Sequence, residues 1–310
     1  MTVTLPAWLN EIIVSERIRV SGSNFLEDSL LHKKASSDFE GEWQEHQANE
    51  MSRTWGFEAS QRLEQLYLET NTSPGQLPYL TVLDAGCGNG LLTEAIARAG
   101  SKVIGVDLIN NLGTIIKNRQ KSDNLFFLKA DLQNLPLKEN SFDLIISNGV
   151  LHHTPDTKAS FLRLARFVKP GGKLYVWLYR KPFQLHKRLT LAAFDTFRVV
   201  ISRLPKKVQK PILYSFAKGF YLISRFKRKE RDFKDLLLDV YDSFTPRYRH
   251  YHQPIEVAGW FYEAGFSAPV LSHWDNSFGF GMVAYKNEGG PVTPGENFGR
   301  PNRDPLRHLG

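Results

Sequence analysis

Three glycines and three acids carry the clearest chemistry in this 310-residue chain. Gly86, Gly88 and Gly90 alternate in Asp84-Ala85-Gly86-Cys87-Gly88-Asn89-Gly90, between an apolar run at Leu80–Leu83 and a helical pattern at Leu91–Arg98. That order reads as strand, tight turn and helix start. Glycine tolerates positive φ and lets a ligand lie against bare main chain, so the loop suits a nucleotide-like cofactor at a strand's carboxyl end. The dinucleotide fingerprint G-x-G-x-x-G needs a third Gly inside the helix, but position 91 is Leu. The phosphate loop G-x-x-x-x-G-K-[ST] is absent. A ligand-free βα turn is the alternative that the loop alone leaves open.

The elements that follow narrow the choice. Lys102–Leu108 reads as a second buried strand ending in Asp107, 17 residues after Gly90. A carboxylate near this offset accepts two hydrogen bonds and suits the vicinal diol of a ribose. Leu125–Leu132 is a third strand ending in Asp131, placed to accept from an exocyclic amine while Leu132 covers a ring face. Ser141–His153 is a fourth strand running into a polar loop, and Lys169–Trp177 is a helix stop, a turn and a fifth strand.

These segments together resemble the class I S-adenosylmethionine (SAM)-dependent methyltransferases, and most closely their small-molecule, type 11-like branch. The resemblance rests on Val82–Gly90, Asp107, Ala130-Asp131-Leu132, Phe142-Asp143-Leu144-Ile145, Val150-Leu151-His152-His153 and Lys169-Pro170-Gly171-Gly172, and spans about residues 78–180. It implies an α/β, Rossmann-like fold: a seven-stranded, mostly parallel sheet, order 3-2-1-4-5-7-6, with helices on both faces. It implies that Gly86, Gly88 and Gly90 lie under the methionine part of SAM, with Cys87 and Leu108 beside the cofactor. Asp107 would hold the ribose, Asp131 and Leu132 the adenine, and Asn148 would face the sulfonium. Asp84 would brace the loop. The alternatives are local: Asp84 holding only backbone amides, Asp131 capping a helix or turn, and one of His152 and His153 serving as packing. His153 is the one taken to the substrate side.

A second polar constellation stands at Tyr241–Pro254, with His250, His252, Tyr248 and Arg247 in one loop before a helix at Ile255–Ala264. In-line methyl transfer needs proximity and alignment, and an alcohol or phenol acceptor also needs its proton removed. His250 or His252 is the candidate base, Tyr248 a donor to the acceptor, and Arg247 an orienting group for an anionic substrate. The alternative is a hydrogen-bonded loop that only anchors the lid to the sheet. A His-rich loop favours O-methylation, and an enol-like carbon acceptor stays open.

The charge of +8 is uneven. Arg180–Lys234 holds 16 Lys and Arg against three acids, and the remainder of the chain is acidic. Apolar residues recur there at helical spacing, giving about three basic amphipathic helices broken at Leu204-Pro205. They read as a solvated helical cap, as a membrane-surface element over 183–230, or as an RNA-facing patch, the last ranked lower for want of a nucleic-acid module. A lid with apolar walls and a basic rim fits an amphiphilic or anionic substrate.

The division expected is a helical extension at 1–77, a SAM-binding core at 78–180, a basic lid at 181–253, a last helix and strands at 254–286, and a disordered tail at 287–310. In the extension Trp43, Trp55 and Arg53 are candidates to cover SAM, Arg53 by pairing with its carboxylate, or to pack a cover on the sheet. One cysteine excludes an internal disulfide and fits a reducing, cytoplasmic setting, with contact at the inner membrane surface as an extension of that. No run approaches the ~18 apolar residues of a membrane span. Clustered metal-ligand spacings are absent, so no metal is expected. The reading is a SAM-dependent enzyme methylating oxygen or carbon of a small or lipid-like acceptor. Its rivals are a tRNA or protein methyltransferase and a non-catalytic SAM-binding partner.

Overall fold

Apolar runs too short for helices and unbroken by polar alternation become strands buried on both faces, the pattern of a parallel sheet covered by helices. In β5 (Thr81–Ala85) Val82, Leu83 and Ala85 are fully buried, and in β8 (Phe142–Asn148) so are Leu144, Ile145 and Ile146. The computed structural model describes residues 4–31, 53–54, 57–226, 233–273, 275 and 278–288. Helix α1 (Ala7–Ile12) opens it, followed by β1 (Ile18–Gly22), β2 (Phe25–Asp28), the short pair β3 (Arg53–Thr54) and β4 (Phe57–Glu58), and α2 (Ala59–Thr70). After β5 come α3 (Leu91–Arg98), β6 (Lys102–Asp107), α4 (Leu112–Ile115), β7 (Leu125–Lys129), β8, α5 (Thr157–Ala165) and β9 (Val168–Tyr179). Helices α6 (Leu185–Arg203), α7 (Lys206–Phe226), α8 (Phe233–Phe244) and α9 (Pro254–Glu263) precede β10 (Phe266–Leu271) and β11 (Gly279–Lys286).

Nine strands form one mixed sheet in the order β1-β2-β7-β6-β5-β8-β9-β11-β10. From β2 to β9 neighbours run parallel, while β1, β11 and β10 pair antiparallel. The seven-stranded expectation therefore falls short. The N-terminal segment is not a purely helical cover: β2 adds to the sheet edge beside β7, with Phe25 opposite Phe127. Leu26 and Asp28 point inward, and Asp28 meets Arg17 at 2.5 Å. Four-residue strands around a tight turn leave too short an alternation to separate from a loop in the sequence. The first of the two strands expected within 254–286 begins at Phe266, directly after the Gly265 helix stop.

One core layer gathers Leu83, Ile104, Phe126, Ile145, Phe161, Val176 and Phe261; the opposite layer holds Leu66, Val82, Ile96, Phe127, Ile146 and Tyr175. The basic insert forms three helices with a core of their own, built from Ile201, Leu213, Ala217, Leu237, Val240, Tyr241 and Phe244. Among the described residues no helix is long and apolar enough to cross a membrane. The tail at 287–310 lies outside the described residues apart from its first two.

Candidate cofactor and acceptor site

The chain runs outward from β5 to β6 and β7, then returns to β8 and β9 on the other side. The loops after β5 and β8 thus diverge and leave a crevice at the carboxyl ends of the strands, the usual ligand position in such sheets. Gly86, Gly88 and Gly90 all have positive φ, at 92°, 53° and 72°. A Cβ on Gly86 would stand 2.2 Å from Val150, and one on Gly90 2.6 Å from Phe127. Glycine is therefore required twice over, by backbone angle and by close approach.

Asp84 is buried beneath the loop and accepts from Thr93 Oγ1 at 2.6 Å, tying strand to helix. Burial raises its pKa to about 6. Asp107 accepts from the backbone N–H of Gly88 (2.8 Å), Leu108 (2.8 Å) and Ile109 (3.2 Å). Burial raises its pKa even against those three bonds. A carboxylate offers about four acceptor sites, so capacity remains for a ligand hydroxyl. Asp131 accepts from Gln133 N at 2.8 Å and caps a short 3-10 turn, as its local alternative anticipated. Leu132 packs at the margin of the core, and Asn148 ends β8 opposite Trp177. Cys87 turns its side chain into the core, where burial raises its thiol pKa well above the ordinary value; it offers a ligand main chain only. Trp43, Trp55 and the Arg53 side chain lie outside the described residues.

The second constellation docks onto the same edge of the sheet. His153 Nδ1 stands 3.0 Å from Tyr248 O, and His250 Nε2 3.0 Å from Thr154 O. A carbonyl only accepts, so each ring donates from that nitrogen and its tautomer is set. His250 leaves Nδ1 as the ring nitrogen that this carbonyl does not engage. His153 is held to a pKa of about 3 by burial and by nearby Arg249 and Arg198, which suits a neutral wall better than a base. His152 is fully buried, with neither ring nitrogen hydrogen-bonded among the described residues, against Tyr179 at 4.0 Å and His153 at 4.2 Å.

His252 departs from the sequence expectation. Its ring lies between Glu256, 3.1 Å from Nδ1, and Trp260, with centroids 4.8 Å apart, and its backbone pairs with Tyr179 and Lys181. Those contacts make it an anchor of α9 and β9, and burial lowers its pKa. Arg247 is exposed over the Tyr248 ring at 5.6 Å, and Tyr248 reaches His153 through its carbonyl.

The sequence reading missed Tyr179 and Arg249. Tyr179 stacks on Tyr251, and the Arg249 guanidinium lies 4.6 Å over the Tyr179 ring while donating to Ser243 O. The period-two run Tyr175, Trp177, Tyr179 in β9 was the available signal, since alternate residues share a face.

Residues 83–176 match the family profile described as "Methyltransferase domain". Over 121 residues the chain is 35% identical to the ubiquinone biosynthesis O-methyltransferase of Coxiella burnetii (strain Dugway 5J108-111), covering 38% of this chain and 52% of that one. Identity to the protein of that name from Hydrogenovibrio crunogenus is 27% over 167 residues, 51% of this chain and 67% of the other. The chain spans about half the length of the first of these relatives. A solved magnesium protoporphyrin IX methyltransferase from Synechocystis PCC 6803 superposes with a TM-score of 0.42 at 16% identity, covering 79% of this chain and 84% of that one. The matched span runs from β5 to β9 and contains the glycine loop with Asp84, Asp107 and Asp131. Over residues 83–176, from the glycine loop to the strand that carries Trp177's neighbours, the chain is therefore similar to a methyltransferase domain.

Proposed function

We propose that the protein transfers a methyl group from SAM to a hydroxyl oxygen of a small, lipid-like acceptor. The observation that carries this reading is the adjacency of the two constellations: a bare glycine loop beside Asp107, and a His and Tyr cluster at the ends of the neighbouring strands β8 and β9. The loop supports this reading because its three positive-φ glycines, with no room for a Cβ at Gly86 or Gly90, leave a run of bare main chain for a cofactor to lie against. Main chain at 86–90 would lie along the methionine part, Asp107 would take ribose hydroxyls, and Asp131, Leu132 and Asn148 would line the remainder. Bound there, SAM supplies an electrophilic methyl group.

The chain's own residues do the rest. Tyr179, Trp177 and Tyr248 wall a flat acceptor, and positioning supplies most of the acceleration. His250, with its Nε2–H fixed on Thr154 O, takes the acceptor's hydroxyl proton on Nδ1 as the oxygen attacks. The ubiquinone biosynthesis O-methyltransferases to which the chain is similar support an oxygen acceptor on a lipid-like molecule.

The lid supports the same reading from outside. Phe183, Leu185 and Leu189 are 70%, 71% and 64% exposed at the start of α6, among Lys181, Lys187 and Arg188. Apolar groups within a basic rim suit the surface of an anionic bilayer, from which an amphiphilic acceptor could be drawn. The test is label transfer from methyl-labelled SAM into an extract, followed by phase separation. Label in the organic phase supports the lipid-like acceptor. Label that stays aqueous and yields to nuclease or protease overturns it for a polymer substrate. Co-sedimentation with phosphatidylserine vesicles tests the lid: binding lost in Leu185→Glu/Leu189→Glu supports membrane contact, and equal binding overturns it.

A further inference from the structure

The glycine loop draws its backbone partners mainly from β6 and the segment behind it. Gly86 N–H and Cys87 N–H both donate to Val106 O, at 2.8 and 3.0 Å, and Gly88 N–H donates to Asp107 Oδ2 at 2.8 Å. Gly90 N–H donates to Cys87 O at 2.9 Å and closes a tight turn over Gly88 and Asn89. The carbonyl of Asn89 accepts from Arg119 Nε at 3.0 Å. Arg119 directly follows a 3-10 turn at Ile116–Asn118. Ile116 of that turn packs under Gly90, 3.6 Å from where a Cβ would stand.

The same guanidinium holds the helix that starts at the loop. Arg119 Nη1 donates to Glu94 Oε2 at 3.2 Å, and Gln120 N–H donates to Glu94 Oε1 at 3.0 Å. Glu94 stands in the first turn of α3, where an acid also meets the positive end of the helix dipole. Its side chain is 10% exposed and that of Arg119 17%, so salt and solvent screen this pair little. Arg98 reaches the same carboxylate at 2.9 Å from the next turn. Its side chain is 64% exposed, and among the described residues it hydrogen-bonds Glu94 alone. A guanidinium presents its donors in a rigid planar fork, so Arg119 can serve a carbonyl and a carboxylate at once.

We propose that Arg119 is a positioning residue of the cofactor site, a clamp that fixes the Cys87–Gly90 turn between β6 and α3. This inference rests on the reading of that loop as the SAM site. Three glycines at positive φ make a loop with much backbone freedom to lose. Asp107 fixes the turn through the N–H of Gly88, and Arg119 fixes it through the carbonyl of Asn89. Residues 107–120 thereby hold the carboxylate for the ribose and the bare loop in one relation before a ligand arrives. Such preorganisation raises affinity by removing an ordering cost from binding. Arg119 acts on the cofactor only through the loop.

The test compares the unaltered full chain with Arg119→Met, Arg119→Lys and Arg98→Met. Two quantities are measured: hydrogen–deuterium exchange without ligand, and calorimetric affinity for S-adenosylhomocysteine, the demethylated product. Met keeps the apolar stem of Arg119 and removes both contacts, while Glu94 retains Arg98 and the Gln120 N–H. Arg119→Met is expected to speed amide exchange at 86–91 about tenfold, by local opening, and to leave β7 unchanged. Its product affinity should fall about tenfold, within ordinary coupling between sites. Arg119→Lys should recover part of both losses, because an ammonium can still donate to Asn89 O. Arg98→Met takes an ion pair from the same acid without touching the loop, so its affinity should stay within about twofold. If Arg119→Met does not fold, Arg119→Lys against Arg98→Met reads the same difference. Unaltered product affinity in Arg119→Met overturns the positioning role, whatever its exchange. Equal losses of affinity in Arg98→Met and Arg119→Met also overturn it, since Glu94 and not the loop contact would then matter. No binding of the product by the unaltered protein overturns the cofactor reading instead, and exchange at 86–91 still reports on the clamp.

Discussion

The cofactor end and the acceptor end of this crevice are built by different means. At the cofactor end the acids bond main chain close by in sequence: Asp131 to Gln133, and Asp107 to Leu108, Ile109 and, 19 positions back, Gly88. At the acceptor end the decisive bonds join residues about 95 positions apart, His153 to Tyr248 and His250 to Thr154. The two ends also respond to acid in opposite senses. Asp84 has its pKa raised to about 6, so the stability it contributes is complete below its ordinary value of 3.8 and is lost as pH rises through 6. His153 has its pKa lowered to about 3, so the stability it contributes is present above 6.5 and is lost as pH falls toward 3. Local bonding makes a loop that motifs reveal. Distant bonding makes a cluster that no short stretch of sequence contains.

The largest expected effect strikes the cofactor end alone. Gly86→Val places a branched side chain where a single Cβ already stands 2.2 Å from Val150, at a φ of 92°. Product binding should vanish by calorimetry while the circular dichroism of the sheet survives at low temperature. Measurable binding would mean that the loop adapts. Next comes the acceptor end. His250→Ala should lower kcat by ~10²–10³, within the usual range for a positioned base. His252→Ala should leave kcat within a few-fold and lower the melting temperature, since its contacts are those of an anchor. Equal losses of kcat in both would erase the distinction drawn between them.

A smaller effect is expected at Asp107. Its replacement by Ala removes a charge-assisted acceptor worth ~1.5–3 kcal/mol, so product affinity should fall by about 10–150-fold. Full affinity in that variant would remove Asp107 from the ribose role. The smallest effect sharpens the contrast in acid response. His153→Gln removes a ring that must stay neutral, so at pH 5 it should recover about 1 kcal/mol of folding stability relative to its difference at pH 7.5. Urea unfolding at the two pH values measures it. An unchanged pH dependence would place the acid sensitivity elsewhere, with His152 the next residue to alter.

Much of the cofactor end was legible in the sequence because its signals are local. Apolar runs of five residues, a glycine-rich turn and an acid at each strand end are short-range patterns, and each produced the expected strand or loop. The hairpin at β1 and β2 escaped because four residues of alternation carry too little pattern, and its partner strand β7 lies about 100 positions away. His252 could be read from sequence either as a base or as part of an anchoring loop, because a histidine near histidines looks chemical until its neighbours are known. Glu256 and Trp260 make it an anchor, and both stand on the following helix. The helices of the lid were visible as amphipathic stretches, but not which faces pair. Phe194, Phe216 and Phe244, from three different helices, close that small core.

By itself the sequence determined the strands of the core, the positive-φ loop and the placing of three acids at strand ends, because steric limits and periodic burial act over a few residues. Only the tertiary structure decided which histidine meets the Thr154 carbonyl and which becomes an anchor. Those outcomes depend on which backbone carbonyl or carboxylate arrives from a distant element, and protonation and tautomer follow from the partner, not from the residue type.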